Sequence, residues 1–259
     1  MDRRRSIYVR TMCEEQFTMF LTNLLNFKNN YYLRIVKKSN LNFTKIQTFL
    51  LNLLSEKGWG IKILYGDSEG GALYRIFEDV KNSGLRKFFV VDDDILFEEK
   101  ILEEFSKLSI PNSLIFCLRR EIHQDDEYLL RIWKEGREVF ISYVFDFNPT
   151  FFNIKLSEKE LERLKEILDE DNSGFGYINL AKFLWNEKKV KCFFYPYHIS
   201  IHLSPRERKW SSWDSKFWEE NLVKPLKNYK AKILYESNIN KLKNLLNIGK
   251  VKLLVGERE

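Results

Sequence analysis

Hydrophobic positions along the first hundred residues alternate between two spacings. Ile7 to Met12 is a short apolar run that reads as a strand, and Phe17, Phe20, Leu21, Leu24 and Leu25 then fall at the i, i+3, i+4 spacing of a one-faced helix. The unit repeats, with a strand over Tyr31 to Val36 and a helical face of Ile46, Phe49, Leu50, Leu53 and Leu54 up to a stop at Gly58. A third strand, Ile61 to Tyr65, leads through the turn Gly66-Asp67-Ser68-Glu69-Gly70-Gly71 into a helix with Leu73, Ile76, Phe77 and Val80 on its apolar face, stopped near Gly84. Phe88 to Val91 is the fourth strand. Strands alternating with helices predict right-handed crossovers and a largely parallel sheet covered on both faces.

After Phe105 the pattern changes. Ser113 to Leu118, Glu127 to Trp133 and Glu138 to Phe145 read as strands, the last two joined as a hairpin across Lys134-Glu135-Gly136-Arg137. Ser157 with Glu160 forms a capping-box pattern for a helix through Leu161, Leu164 and Leu168. A loop over 169–176 precedes a helix from Ile178 to Glu187 and a strand from Val190 to Tyr195. Beyond Pro196, the alternation in His198-Ile199-Ser200-Ile201-His202 puts both histidines on one side of a strand. The sequence therefore divides into a domain over 1–204 and a basic, aromatic-rich, helical extension over 205–259.

Composition narrows the class only slightly. With 44% hydrophobic residues in 259, the chain builds a full core, and 43 basic against 37 acidic residues make a mildly basic surface rather than a nucleic-acid-binding one. No nucleic-acid partner is expected. Cys13, Cys117 and Cys192 have neither disulfide nor zinc spacing, and no window has a bilayer-spanning length, so a soluble, cytoplasmic protein is expected.

The candidate chemistry begins where the fourth strand runs into Asp92-Asp93-Asp94. Three adjacent acids resist burial without compensation, and open α/β sheets gather ligands at the carboxyl ends of their strands, which suits a divalent cation facing a phosphate-bearing ligand. A solvated acidic turn is the plainer alternative. On an extended backbone Asp92 and Asp94 point to one side and Asp93 away.

The order of these pieces resembles the GT-A class of nucleotide-sugar glycosyltransferases, especially the large inverting family with a single Rossmann-like domain, over about residues 6–204. The matching motifs are Val9-Arg10-Thr11, then Gly70-Gly71-Ala72 with Arg75 leading into Val90-Val91-Asp92-Asp93-Asp94. Asn179-Leu180, Lys188-Lys189-Val190-Lys191 and the strand from Pro196 to His202 complete the match. The resemblance implies a mixed, mostly parallel Rossmann-like sheet flanked by helices and a UDP- or GDP-sugar donor contacted by Arg10, Thr11, Asp67, Gly70, Gly71, Arg75, Asp92 and Asp93. It also implies Mn²⁺ or Mg²⁺ on Asp92, Asp94 and His202, and a sugar, protein or lipid-linked acceptor.

Two departures qualify it. The second strand ends in Val36-Lys37-Lys38-Ser39-Asn40 where the family usually carries an Asp for the base or ribose. Gly176-Tyr177 stands where inverting members carry an acidic pair with the general base, so Asp171, with Glu170 beside it, is the base candidate. A retaining enzyme, a non-catalytic donor-binding relative and a metal-dependent nuclease are the alternatives. The run from Asp169 to Gly174 begins like a calcium loop, but the position of its bidentate Glu falls near Lys182. Trp210, Trp213 and Trp218, among Arg206, Arg208, Lys209 and Lys216, admit packing on the domain, a lid, a sugar platform or a peripheral membrane contact through residues 206–218.

Overall fold

The computed structural model describes residues 5–108, 110–121, 149–169, 176–203 and 232–233. The parallel half consists of β1 (Ser6–Thr11), α1 (Glu15–Leu25), β2 (Tyr32–Lys37), α2 (Lys45–Glu56), β3 (Gly60–Tyr65), α3 (Glu69–Asn82) and β4 (Lys87–Asp92). Then come β5 (Ile95–Leu96), α4 (Glu99–Lys107), β6 (Ser113–Glu121), β7 (Thr150–Asn153), α5 (Glu158–Asp169), α6 (Gly176–Lys182) running into a π-helical turn (Phe183–Glu187), β8 (Lys191–His202) and β9 (Lys232–Ile233).

One nine-stranded sheet has the order β3-β2-β1-β4-β7-β6-β8-β5, with β9 beside β8. Strands β1 to β4 pair in parallel, whereas β7 runs antiparallel to β4 and β6 and β5 antiparallel to β8. The fold is thus the expected mixed, mostly parallel α/β sheet. Alternate residues of each central strand enter opposite cores: Tyr8, Val36, Phe88, Val90 and Phe152 pack under α3, α5 and α6, while Ile7, Val9, Leu33, Ile35, Phe89, Val91 and Phe151 pack under α1, α2 and α4. Phe88 and Phe152 stack at 5.0 Å across the junction of the two halves.

Helix boundaries follow local chemistry. Gly58 (φ 90°) and Gly84 (φ 64°) take the left-handed conformation just past α2 and α3. Ser157 and Glu160 form the expected reciprocal bonds at the start of α5.

Four expectations are corrected. Helix α3 starts at Glu69, so Gly70 and Gly71 lie in its first turn and not in the preceding loop, because the Ser68 hydroxyl accepts from Gly71 N–H at 2.9 Å and caps the helix. Helix α2 is rotated from its apolar stripe: Gln47, Leu50, Leu51 and Leu54 are buried, while Ile46 is 63% and Phe49 60% exposed. The Gln47 amide fixes that rotation by donating to the carbonyls of Cys13 and Glu14, and its side chain completes a capping box with Thr44. The strand on either side of Pro196 is one strand, β8, because its pairing with β6 jumps from Tyr195 to Ile199 and leaves the proline unpaired with β6. The helix expected over Ile178 to Glu187 starts at Gly176 and ends in the π-helical turn, whose carbonyl of Phe183 takes the Lys188 N–H. The hairpin expected within 127–145, Glu170 and Asp171, and the 206–218 segment lie outside the described residues. Among the described residues no helix is long and apolar enough to cross a membrane.

Candidate functional site

The chain winds from β1 outward through β2 to β3 and then returns to place β4 on the other side of β1, so the strand order reverses between β1 and β4. Their carboxyl ends frame a crevice, the place where open α/β sheets bind ligands. Arg10 and Asp92 are register partners there. The guanidinium donates to Asp92 Oδ1 from Nη2 at 2.7 Å and from Nε at 3.2 Å, and Nη1 reaches Glu69 Oε1 of α3 at 3.3 Å. Glu69 was missed in the sequence because it read as part of a turn; the Ser68 cap three residues before Gly71 was its signal.

The backbone is not extended through the three acids. Strand β4 ends at Asp92, and Asp93 and Asp94 form the turn into β5, so their carboxylates take separate partners. Asp93 turns toward β1, where the Thr11 hydroxyl and the Met12 N–H bond it. Burial pushes its carboxyl up to about 6, partly offset by the Thr11 bond and reinforced by Asp94. Asp94 faces β8, with Oδ2 at 2.8 Å from His202 Nε2, and its carbonyl accepts the Leu203 N–H at 2.7 Å. His198, on the same strand, is tied instead to Glu104 of α4 at 3.0 Å. Of the expected set, Arg10, Thr11, Asp92, Asp93, Asp94 and His202 therefore come together around the β4–β5 turn.

The rest do other things. Arg75 bonds Glu78 at 2.5 Å and the Tyr65 carbonyl at 3.2 Å. Asp67 accepts from the Ser39 N–H at 2.8 Å and hydroxyl at 2.7 Å, which hold its carboxyl below the usual range and close the loop after β2. Lys37 lies over the rings of Phe43 and Tyr65 and donates to the Lys38 and Leu41 carbonyls, so the second strand ends in an internally bonded cation where an acid was expected. A side chain at Gly70 would have its Cβ 2.4 Å from the Leu168 carbonyl, so that glycine lets α3 and α5 touch.

Among the described residues the crevice gathers the carboxylates of Asp92, Asp93, Asp94 and Glu69 with the Arg10 guanidinium and the His202 ring. Among the described residues no group of three or more His, Cys, Asp or Glu side chains is arranged to hold a metal ion by itself. Asp94 and His202 do fit two adjacent ligand positions, since ligands at about 2.1 Å and a right angle on an octahedral ion lie about 3 Å apart.

These features define an α/β protein with an acid-lined crevice at the switch point of its parallel strands. No protein-family model and no curated protein sequence matches the chain. Among solved structures, S. aureus TarS aligns with 78% of this chain and 58% of its own at 12% identity and TM-score 0.45. The apo form of the bifunctional glycosyltransferase WbbM aligns with 88% of this chain and 50% of its own at 9% identity and TM-score 0.47. A Desulfovibrio desulfuricans protein named as a nucleotide-diphospho-sugar transferase aligns with 89% of this chain and 99% of its own at 8% identity and TM-score 0.46. The chain spans about half the length of the first two. The likenesses are distant, and the class rests on the strand order.

Proposed function

We propose that this protein is a metal-dependent glycosyltransferase of the GT-A type that moves a sugar from a UDP or GDP carrier to a sugar, protein or lipid-linked acceptor. The observation that carries the reading is the meeting of Arg10, the three acids and His202 at the carboxyl ends of β1 and β4. Mg²⁺ is commonly held by one or two carboxylates together with substrate phosphates, so a protein share of two ligands suits a site completed by a diphosphate.

Asp94 and His202 are the residues to hold Mn²⁺ or Mg²⁺, which when bound supplies charge neutralisation to the departing diphosphate. Arg10 holds the Asp92 carboxylate in one orientation at the crevice, a preorganisation that serves a ribose or phosphate contact. Thr11 and the Met12 N–H fix Asp93, whose carboxyl burial pushes up to about 6. Asp171, or Glu170, is the proposed base on the acceptor hydroxyl. The contact of Gly70 with Leu168 supports this, because it brings the end of α5, from which that segment departs, to the first turn of α3.

The test is thermal melting with a panel of UDP- and GDP-sugars, with and without Mn²⁺. A matching donor raises the melting temperature more with metal, and Asp92→Asn combined with Asp94→Asn removes the metal-dependent part. Unchanged binding in the double variant overturns the metal assignment. Donor binding without hydrolysis or transfer across many acceptors would favour the non-catalytic relative instead.

A further inference from the structure

The outer edge of β3 is unlike the rest of the sheet. Gly60 and Gly66 donate to the carbonyls of Tyr31 and Lys37 on β2, so in this parallel pair the even-numbered residues 60 to 66 turn their backbone groups inward. Ile61, Ile63 and Tyr65 then turn theirs outward, and among the described residues no strand pairs with that edge. The Tyr65 carbonyl is shared with Arg75 Nε, which leaves one of its two lone pairs. The strand's six residues, Gly-Ile-Lys-Ile-Leu-Tyr, hold no proline and a single charge, that of Lys62, which pairs with Asp79. Ile63 is 39% and Tyr65 51% exposed.

We infer that β3 is a homodimer interface, pairing antiparallel with β3 of a second copy about a two-fold axis at Ile63. The edge is self-complementary in this register. Its outward-facing residues are three in number and centred on Ile63, so Ile63 pairs with itself and Ile61 with Tyr65, and every outward N–H and carbonyl finds a partner. The cross-strand pairs are two isoleucines and two isoleucine–tyrosine contacts, the β-branched and aromatic kind that stabilises sheets. On the other face Lys62 meets Leu64, so no like charges oppose. A two-fold axis normal to the sheet keeps both copies of α2 on one side of the seam. Leu53 of α2 and Ile61 of β3 pack against the same core cluster, so α2 covers this face of the sheet. The rotation of α2 also leaves Ile46 and Phe49 of that helix exposed.

Light scattering on the full chain at micromolar concentration should give twice the 31.2 kDa monomer mass. Ile63→Pro removes only an outward N–H and keeps the ladder to β2, so it should give a monomer with unchanged far-ultraviolet dichroism. Ile63→Cys should form a covalent dimer on mild oxidation, because hydrogen-bonded antiparallel partners lie about 5.5 Å apart at Cα, within disulfide reach. Leu64→Cys, on the other face and opposite Lys62, should not. A monomer at every concentration, a dimer that survives Ile63→Pro, or no more cross-linking in Ile63→Cys than in the parent chain overturns the inference.

Discussion

Two arginine–aspartate pairs sit on neighbouring strands of this sheet and are used in opposite ways. Arg34 of β2 pairs with Asp79 of α3 inside the core, where Tyr8 donates to the same carboxylate at 2.8 Å and Lys62 at 2.5 Å. Burial alone would raise the Asp79 carboxyl, but the Lys62, Tyr8 and Arg34 contacts outweigh it and hold the group below the usual range. Arg10 and Asp92 sit at the strand tips, where the guanidinium is shared with Glu69 and burial holds Asp93 up at about 6. The first cluster is buried and structural. The second lies at the crevice, with Arg10 shared between Asp92 and Glu69 and Asp93 raised by burial, the kind of perturbed cluster that gathers at functional sites.

The contrast is broken most directly at Asp79. Asp79→Ala leaves Arg34 buried without its partner, and about 3–5 kcal/mol of stability should be lost in urea unfolding. A loss under about 1 kcal/mol would show that the core pair is not integral to the fold.

Next in size is the pH dependence of Asp93 in metal-free buffer. Its folded value of about 6 lies above the ordinary ~3.9, so the folded state binds more protons between those values. This group's contribution therefore favours folding below about pH 4 and is lost as pH rises through about 6, a change on the order of 3 kcal/mol. Asp93→Asn should remove that part of the pH profile of melting; an unaltered profile would mean that Asp93 is ionised throughout.

The smallest effect is expected at Asp94. Asp94→Asn relieves repulsion with Asp93 while keeping a hydrogen-bonding group opposite His202, so stability should move by less than about 1 kcal/mol. The metal-dependent part of donor binding should fall at the same time. A large loss of stability would place Asp94 with Asp79 as a structural acid.

The alternating units of the parallel half were legible in the sequence because buried parallel strands read as apolar runs, and each is followed by a helix with a stop signal. The meeting of Asp94 with His202 was legible through motif order, although 108 residues separate the two. What stayed hidden depended on single polar groups. The Gln47 amide rotates α2 away from its apolar stripe, and the Ser68 cap moves the start of α3 back to Glu69. The division of the three acids among β1, β4 and β8 depended on where β4 ends, and strand ends are set by tertiary pairing rather than by local sequence. Lys37 is a similar case, since at the strand end where the resembled family carries an Asp this lysine bonds its own loop.

The absence of a side chain at Gly70 makes the spacing between two helices a setting of the crevice. Leu168 rests where a methyl group would be, and the chain leaves α5 immediately afterwards at Asp169. One added carbon at Gly70 would therefore act as a wedge between the first turn of α3 and the end of α5. Gly70→Ala would disturb the crevice from behind, through helix spacing rather than through any charged group.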